Sequence, residues 1–310
     1  MKIFINTPLN ESLRAHLRSL LPTSVTPVFK SEVSEEAAQQ AFQTADIIMG
    51  NPSADWFRNA SANLVYWQLD SAGFDQYKNV ATNAQVANMG DFFARPCAET
   101  MVGGLLAFYR GIDVLAKKQE QKEWVGKELR YRLGLISNKK VVILGAGAIG
   151  QAVKQMLAGF NCQVQMTARK SPLAELHSFE EVLAALPTTD VVVNTLPGGA
   201  ERYVSKDFIN AMKEGSVYAS VGRGSTTDEV ALIAALQAGK LAGAVLDVTE
   251  IEPLPAESPL WEMENVILTQ HSGGGQMAED EGKIAQFLAN LNLFLAGHPL
   301  QNQVDLAQGY

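Results

Sequence analysis

Three polar side chains, Arg223, Glu252 and His271, stand where apolar, strand-like runs end in the C-terminal half of the chain. They lie in "SVGRGSTTDE" (220–229), "GAVLDVTEIEPLP" (243–255) and "NVILTQHSGGG" (265–275). An open parallel sheet gathers the carboxyl ends of its strands around one crevice, so residues far apart in sequence meet there. A guanidinium can hold a carboxylate and polarise a ketone oxygen. A protonated imidazole can give up a proton, and a carboxylate can orient that imidazole and stabilise its charge. The set suits reduction of a 2-keto acid by a hydride from a nicotinamide cofactor. Taken singly, each residue also fits an ordinary turn or surface role; their order and setting favour chemistry.

Hydride chemistry needs a dinucleotide site, and residues 145–150 read "GAGAIG". Gly145, Gly147 and Gly150 match the G-x-G-x-x-G pattern, which is weak alone. Here "KVVIL" precedes it as a buried strand and "AIGQAVKQMLAGF" follows as a helix. In that setting Gly145 permits the turn, Gly147 lets backbone approach a pyrophosphate, and Gly150 lets helix pack on strand. The helix N-terminus offers N–H donors to the anion.

The next strand-like run, "CQVQMT", should end in an acid if the cofactor is NAD, to hold the ribose hydroxyls. It ends instead in Thr167 and Ala168, followed by Arg169 and Lys170. A carboxylate would repel a 2′-phosphate, whereas a guanidinium fork pairs with one. The sequence therefore predicts NADP as cofactor, with NAD possible, Arg169 and Lys170 as the selector, and Thr167 and Ser171 as hydroxyl donors.

These residues require a scaffold. "KIFIN" (2–6), "ADIIMG" (45–50) and "LVYWQLD" (64–70) are short β-type runs separated by capped helical patterns, which predicts a parallel α/β unit. A long helix is expected from about residue 95 to 121. From "NKKVVILG" onward six parallel-strand candidates follow, the complement of a doubly wound sheet. The last helix and tail are too small for a domain and are expected to pack back on the N-terminal unit. The expected fold class is α/β, with one discontinuous substrate domain (1–97 plus 283–310) and an inserted dinucleotide domain (98–282).

Composition excludes other classes. The net charge of −8 offers no broad surface for nucleic acid or anionic membrane. Cys97 and Cys162 are too few for a zinc motif or a disulfide framework, which points to a cytoplasmic protein. No apolar run reaches the length of a membrane span, and "MKIFINTPLN" enters a β-like run without a signal-peptide pattern. His16, His177 and His298 fall in polar helical or turn contexts and are expected to be structural or solvated.

With these motifs in place, the chain resembles the D-isomer-specific 2-hydroxyacid dehydrogenase family. "GAGAIG", "VVVNTLP", "GRGSTTDEVALIAALQAGKLAGAVLDV", "EPLP", "SPLWEMENVILTQHSGG" and "HPLQNQVD" carry the likeness, which is densest from about 140 to 275. The resemblance implies a Rossmann domain inserted into a flavodoxin-like substrate domain, with the site in the cleft between them. It also implies a homodimer through the cofactor domain. Carried over by position, it makes Arg223 the substrate-binding residue, Glu252 (not Glu250) the acid paired with histidine, and His271 the general acid. It assigns Asp247 to the nicotinamide carboxamide with Val221 and Gly222, and Ala148 and Ile149 to the pyrophosphate. Leu196, Pro197, Ser272, Gly273 and Gly274 complete the cofactor contacts it implies. "SAGFD" resembles the loop that holds the substrate carboxylate, through Ala72, Gly73 and Phe74.

The implied activity is NADPH-dependent reduction of a small 2-keto acid of the glyoxylate or hydroxypyruvate type to the D-2-hydroxy acid. The competing reading is a dinucleotide-sensing, corepressor-like interaction protein with little turnover. A formate dehydrogenase-like reading is disfavoured, because that branch pairs its histidine with Gln. Two departures fall near the site: Arg202 stands where a Thr is usual, and Ser220 replaces an amide side chain.

Overall fold

The computed structural model of the chain describes residues 1–308. The tail expected to reach 310 thus ends in Gly309 and Tyr310, which lie outside the described residues. The first part folds as β1 (Lys2–Ile5), α1 (Glu11–Leu20), β2 (Thr26–Phe29), α2 (Glu35–Gln43), β3 (Ile47–Met49), β4 (Tyr66–Gln68) and β5 (Gln85–Ala87). Next come α3 (Ala94–Arg110), α4 (Ile112–Glu120), α5 (Gly126–Leu129), β6 (Lys140–Leu144), α6 (Ala148–Ala158), β7 (Gln163–Thr167) and α7 (Phe179–Ala185). These are followed by β8 (Val191–Asn194), α8 (Lys206–Ala211), β9 (Ser216–Ser220), α9 (Glu229–Gln237), β10 (Leu241–Leu246) and β11 (Val266–Leu268). The chain closes with α10 (Glu279–Leu295) and β12 (Gln303–Val304).

Two compact units result: Met1–Phe92 together with the segment from Gln276 onward, and Phe93–Gly275. These boundaries correct the expected 97/98 and 282/283. The reason is α3, which starts at Ala94 and sends Cys97, Ala98, Met101 and Leu105 into the core of the second unit. The single helix expected from 95 to 121 is also corrected. It breaks at Gly111, whose φ of 61° is left-handed and closes α3 before α4 begins.

In the first unit the sheet order is β12-β5-β4-β3-β1-β2, with β12 antiparallel to β5 and the other pairs parallel. The parallel strands therefore run 2-1-3-4-5, the flavodoxin-like order. Alternation along β1 sends Ile3 and Ile5 to one face and Phe4 to the other, so both faces are buried. Ile284, Phe287 and Leu291 of α10 join Ile3, Ile5 and Tyr66 in one core cluster. Asn290 of α10, fully buried, donates to Gln68 Oε1 at 2.8 Å and accepts from Gln301 N at 2.8 Å. Those bonds, with the apolar packing, fix the C-terminal helix on this sheet.

The second unit holds a parallel sheet in the order β11-β10-β9-β8-β6-β7. Beyond β7, a single parallel bridge from Thr167 to Leu176 stands where a further strand would run. Counting that bridge gives the Rossmann 3-2-1-4-5-6 order, extended by one strand. The order reverses between β6 and β8, so the ligand crevice falls at their carboxyl ends. Gly104 of α3 has a packing reason: a Cβ there would meet Val245 Cγ1 at 2.4 Å.

Candidate active site

The glycine turn between β6 and α6 has the constraints its sequence announced. Gly145 has φ +106°, and a Cβ there would lie 2.7 Å from Thr195 Oγ1. At Gly150 a Cβ would meet the Gly145 carbonyl oxygen at 2.4 Å, so only glycine lets α6 start so close to the turn. Gly147 differs: nothing lies within 4 Å of its would-be Cβ, and it caps α6 without a side-chain bond. Open space therefore faces the exposed start of the helix, where Ala148 and Ile149 sit in the first turn. That open cradle fits a dinucleotide pyrophosphate.

Thr167 ends β7, but it is 6% exposed and its hydroxyl accepts the Gly145 N–H at 3.1 Å. Its oxygen thus buttresses the glycine turn from within. Ala168 follows, donating its N–H to Leu176 O at 3.0 Å, while His177 Nδ1 lies 2.8 Å from Ala168 O. His177, expected to be structural or solvated, thus braces this turn. Arg169 and Lys170 are exposed at its tip. The nearby acid, Glu175, is already engaged: Met166 N donates to it at 2.7 Å and Lys154 Nζ at 2.5 Å. Burial opposes ionisation of Glu175, but the Lys154 ammonium and the Met166 N–H outweigh it and hold the carboxyl below its usual range.

The arginine turn is built by close backbone approaches. A Cβ on Gly222 would meet the Leu196 carbonyl oxygen at 2.4 Å, and one on Gly224 would meet the Thr249 carbonyl oxygen at 1.7 Å. Arg223 is therefore carried between the turn after β8 and the loop after β10. Asn194, fully buried at the end of β8, ties the two turns together. Its amide donates to Tyr218 Oη at 2.9 Å and Thr226 Oγ1 at 2.8 Å, and its Oδ1 accepts Leu196 N at 3.0 Å. Thr226 Oγ1 in turn donates to Arg223 O at 2.6 Å.

His271 and Glu252 meet: Nδ1 and Oε2 are 2.6 Å apart. Thr249 N donates to the other carboxylate oxygen, Oε1, at 3.0 Å. The histidine backbone is left-handed, as is that of Gln270 (φ 54° and 53°), a conformation that costs a non-glycine residue about 1–3 kcal/mol. Asp247 is what holds the segment so bent. Its Oδ1 accepts Thr269 Oγ1 at 2.5 Å, Gly273 N at 2.9 Å and Ser272 N at 3.1 Å. Its carbonyl accepts His271 N at 2.5 Å. Asp247, expected to face the cofactor, is 4% exposed and organises the histidine loop. Ser272 likewise spends its hydroxyl on Thr269 O at 2.6 Å.

Arg202, the unusual residue after "TLPGGAE", pairs with Glu250 at 2.9 Å and Asp228 at 3.7 Å. Glu250 N donates to Glu229 Oε2 at 2.8 Å, so Arg202 helps tie down the loop that carries Glu252. Cys97 feels the charges of Asp247 and Arg223. Burial pushes its thiol up to about 11, Asp247 adding to the rise and Arg223 opposing it. His16 and His298 are exposed and outside these clusters.

In the first unit, "SAGFD" forms the turn after β4. The backbone N–H groups of Ala72, Gly73 and Phe74 meet no acceptor among the described residues. Phe74 is 1% exposed, and a buried N–H without a partner is rare in a folded chain. Three consecutive donors make a concavity suited to an anion. Composition gave no sign of several residues that shape these sites: Asn194, Thr249, Thr269, Asn51 and Asn88. A polar residue closing an otherwise apolar strand, as in "VVVN", was the available signal for Asn194.

Fold and site together define a dinucleotide-binding α/β protein with a histidine–carboxylate pair at the ends of its Rossmann strands. Comparison with known proteins agrees. Residues 102–273 match the model of the D-isomer specific 2-hydroxyacid dehydrogenase NAD binding domain. The chain is 30% identical to glyoxylate/hydroxypyruvate reductase B of Serratia proteamaculans, over 98% of this chain and 96% of that one. A D-isomer specific 2-hydroxyacid dehydrogenase family protein of Aeromonas salmonicida shares its structure, with TM-score 0.83, 25% identity and coverage of 98% and 99%. An NADPH-dependent glyoxylate/hydroxypyruvate reductase of Sinorhizobium meliloti, solved with NADP and sulfate, shares the fold at TM-score 0.84 and 21% identity, covering 100% and 99%. The chain belongs to the D-isomer specific 2-hydroxyacid dehydrogenase family. Among the described residues, no helix is long and apolar enough to cross a membrane, and no His, Cys, Asp and Glu group could hold a metal ion.

Proposed function

We propose that the protein reduces a small 2-keto acid of the glyoxylate or hydroxypyruvate class to the D-2-hydroxy acid with NADPH. The observation that carries this reading is the 2.6 Å contact between His271 Nδ1 and Glu252 Oε2 at the carboxyl ends of β10 and β11. With Nδ1–H bound to the carboxylate, Nε2 is left to present the proton, and the carboxylate compensates the charge of the imidazolium. When bound, the cofactor supplies the hydride that reduces the substrate carbonyl carbon.

Each further role follows from what a side chain can offer. The unpaired N–H groups of Ala72, Gly73 and Phe74 hold the substrate carboxylate. Arg223 polarises the ketone oxygen, and His271 protonates that oxygen as the alkoxide forms. Asp247 keeps the His271 segment in its left-handed bend. Gly147, Ala148 and Ile149 bound the pyrophosphate site, with Leu196, Pro197, Val221, Gly222, Gly273 and Gly274 along the cofactor path.

NADP is favoured over NAD because β7 ends in Ala168, the adjacent Glu175 is neutralised by Lys154, and Arg169 and Lys170 occupy the tip. The names of the Serratia and Sinorhizobium reductases support the same substrate, and the Sinorhizobium name supports NADPH. A homodimer through the second unit is proposed as well. Trp124, Tyr131, Leu135 and Ile112 are 96%, 85%, 61% and 55% exposed within one segment, apolar area that a second copy would cover.

The test is a panel of 2-keto acids assayed with NADPH and NADH in parallel, alongside light scattering for the dimer. NADPH oxidation on adding glyoxylate or hydroxypyruvate is expected, with kcat lowered roughly 10²–10⁴-fold in His271→Ala. Arg169→Ala should raise the KM for NADPH and leave that for NADH unchanged. No stimulated oxidation with any keto acid would sink the enzymatic reading in favour of a cofactor-sensing interaction protein.

A further inference from the structure

We infer that Asn51 and Ser71, with Asn88, are positioning residues that hold the carbonyl oxygens of the 71–74 turn inward and so aim its N–H groups at the substrate carboxylate. The inference rests on the reading of that turn as the carboxylate site. A peptide turn presents donors on one side only if its acceptors are engaged on the other. Free carbonyls beside an incoming carboxylate would repel it, and a turn without anchors would sample orientations that mix the two.

The acceptors of this turn are all engaged from within the first unit. Ser71 O accepts Met89 N at 3.1 Å, Ala72 O accepts Asn88 Nδ2 at 2.7 Å, and Gly73 O accepts the Ser71 hydroxyl at 2.7 Å. The Ser71 hydroxyl is itself set by Asn51, whose Nδ2 donates to it at 2.9 Å. Asn51 Oδ1 accepts Asp70 N at 3.2 Å, so one amide grips the turn at both its entry and its hinge. Asn88 is anchored in the same manner, its Oδ1 accepting Gly90 N at 2.9 Å. The relay therefore runs from Asn51 through Ser71 to Gly73 O, with Asn88 holding the carbonyl between. The contrast with the donors is complete: the N–H groups of Ala72, Gly73 and Phe74 have no acceptor among the described residues.

Each asparagine uses both ends of its amide, which neither Ala nor Asp can reproduce. An aspartate at 51 would keep the acceptor for Asp70 N, lose the donor to Ser71, and add a negative charge close to the anion site. A threonine at 71 would retain the hydroxyl relay. These differences separate an aiming role from plain packing.

The experiment compares Asn51→Ala, Ser71→Ala, Ser71→Thr and Asn88→Ala with wild type in keto-acid turnover. It also measures oxalate binding to the enzyme loaded with NADP⁺ by titration calorimetry. Loss of one neutral hydrogen bond in the relay should raise both the keto-acid KM and the oxalate Kd about tenfold, with kcat within about threefold of wild type. Ser71→Thr should bind oxalate like wild type. Alanine variants with wild-type KM and Kd, or a Ser71→Thr variant as weak as Ser71→Ala, would overturn the aiming role. Should one alanine variant fail to fold, the others and the Ala/Thr pair still decide. A wild-type enzyme that turns over keto acids but binds no oxalate would instead overturn the assignment of the turn as a carboxylate site, and the inference with it.

Discussion

Glu252→Gln is the sharpest test of the proposed proton donor. In the native loop, Nδ1 of His271 faces Oε2 at 2.6 Å while Oε1 accepts Thr249 N at 3.0 Å. The second bond decides how a glutamine turns. Its carbonyl oxygen takes the Thr249 N–H, which directs its NH₂ at Nδ1. Two donors then face each other, unless the ring becomes neutral with its proton on Nε2. Either way the imidazolium loses its counter-charge. A hydrogen bond to a charged group contributes about 1.5–3 kcal/mol. The pair is partly open to water, with side-chain exposures of 53% and 34%. Screening therefore places the loss near the lower bound, about 1.5 kcal/mol, or roughly tenfold in rate. The assay is steady-state NADPH oxidation with glyoxylate or hydroxypyruvate near neutral pH. A fall of about tenfold in kcat is expected, with the keto-acid KM within about threefold, since Glu252 does not hold the carboxylate. A folded variant with wild-type kcat would refute the reasoning.

Other outcomes follow from neighbouring features. Gly224→Ala places a Cβ 1.7 Å from the Thr249 carbonyl oxygen, so backbone must move. Overpacking of about 1–3 kcal/mol should lower Tm by several degrees, and displacement of the Thr249–Glu252 loop should lower kcat; a thermal melt and the turnover assay check both. Asp70 is half-buried, and its desolvation raises its pKa even though the Lys283 ammonium opposes the rise. A carboxyl raised in the folded state favours folding below its unfolded pKa, about 3.9, and loses that contribution as pH rises through the folded value. Asp70→Asn should therefore match wild type in Tm near pH 4 and exceed it increasingly toward pH 8; a difference that does not grow with pH would contradict this. Cys97, 7% exposed and with its thiol pushed up to about 11, should resist iodoacetamide at pH 8 in the native protein and react on unfolding, as mass spectrometry can read.

Much was written locally. "KVVILGAGAIGQAV" specifies strand, turn and helix, because three glycines at that spacing answer to one backbone path. The apolar runs ending in Arg223, Glu252 and His271 announced parallel strands with chemistry at their tips. The break at Gly111 was harder to read, since a glycine inside a helical pattern is tolerated as often as it terminates one. The domain boundaries were harder again. Nothing near Phe93 changes in composition, and only the packing of α3 on the second sheet decides where one unit ends.

The sequence by itself determined the class of fold, the cofactor turn and the identity of the three candidate catalytic residues, because each depends on short-range pattern or on residue type. Tertiary structure alone decided how Asp247 and Thr167 are used. Asp247 and Thr167 turn inward to hold loops, while Glu252 turns outward to the imidazole; nothing in their types distinguishes those fates. The 71–74 turn is the clearest case. Asn51, Ser71 and Asn88 come from three separate strand ends, and their hydrogen bonds to one turn exist only once the sheet has brought those ends together.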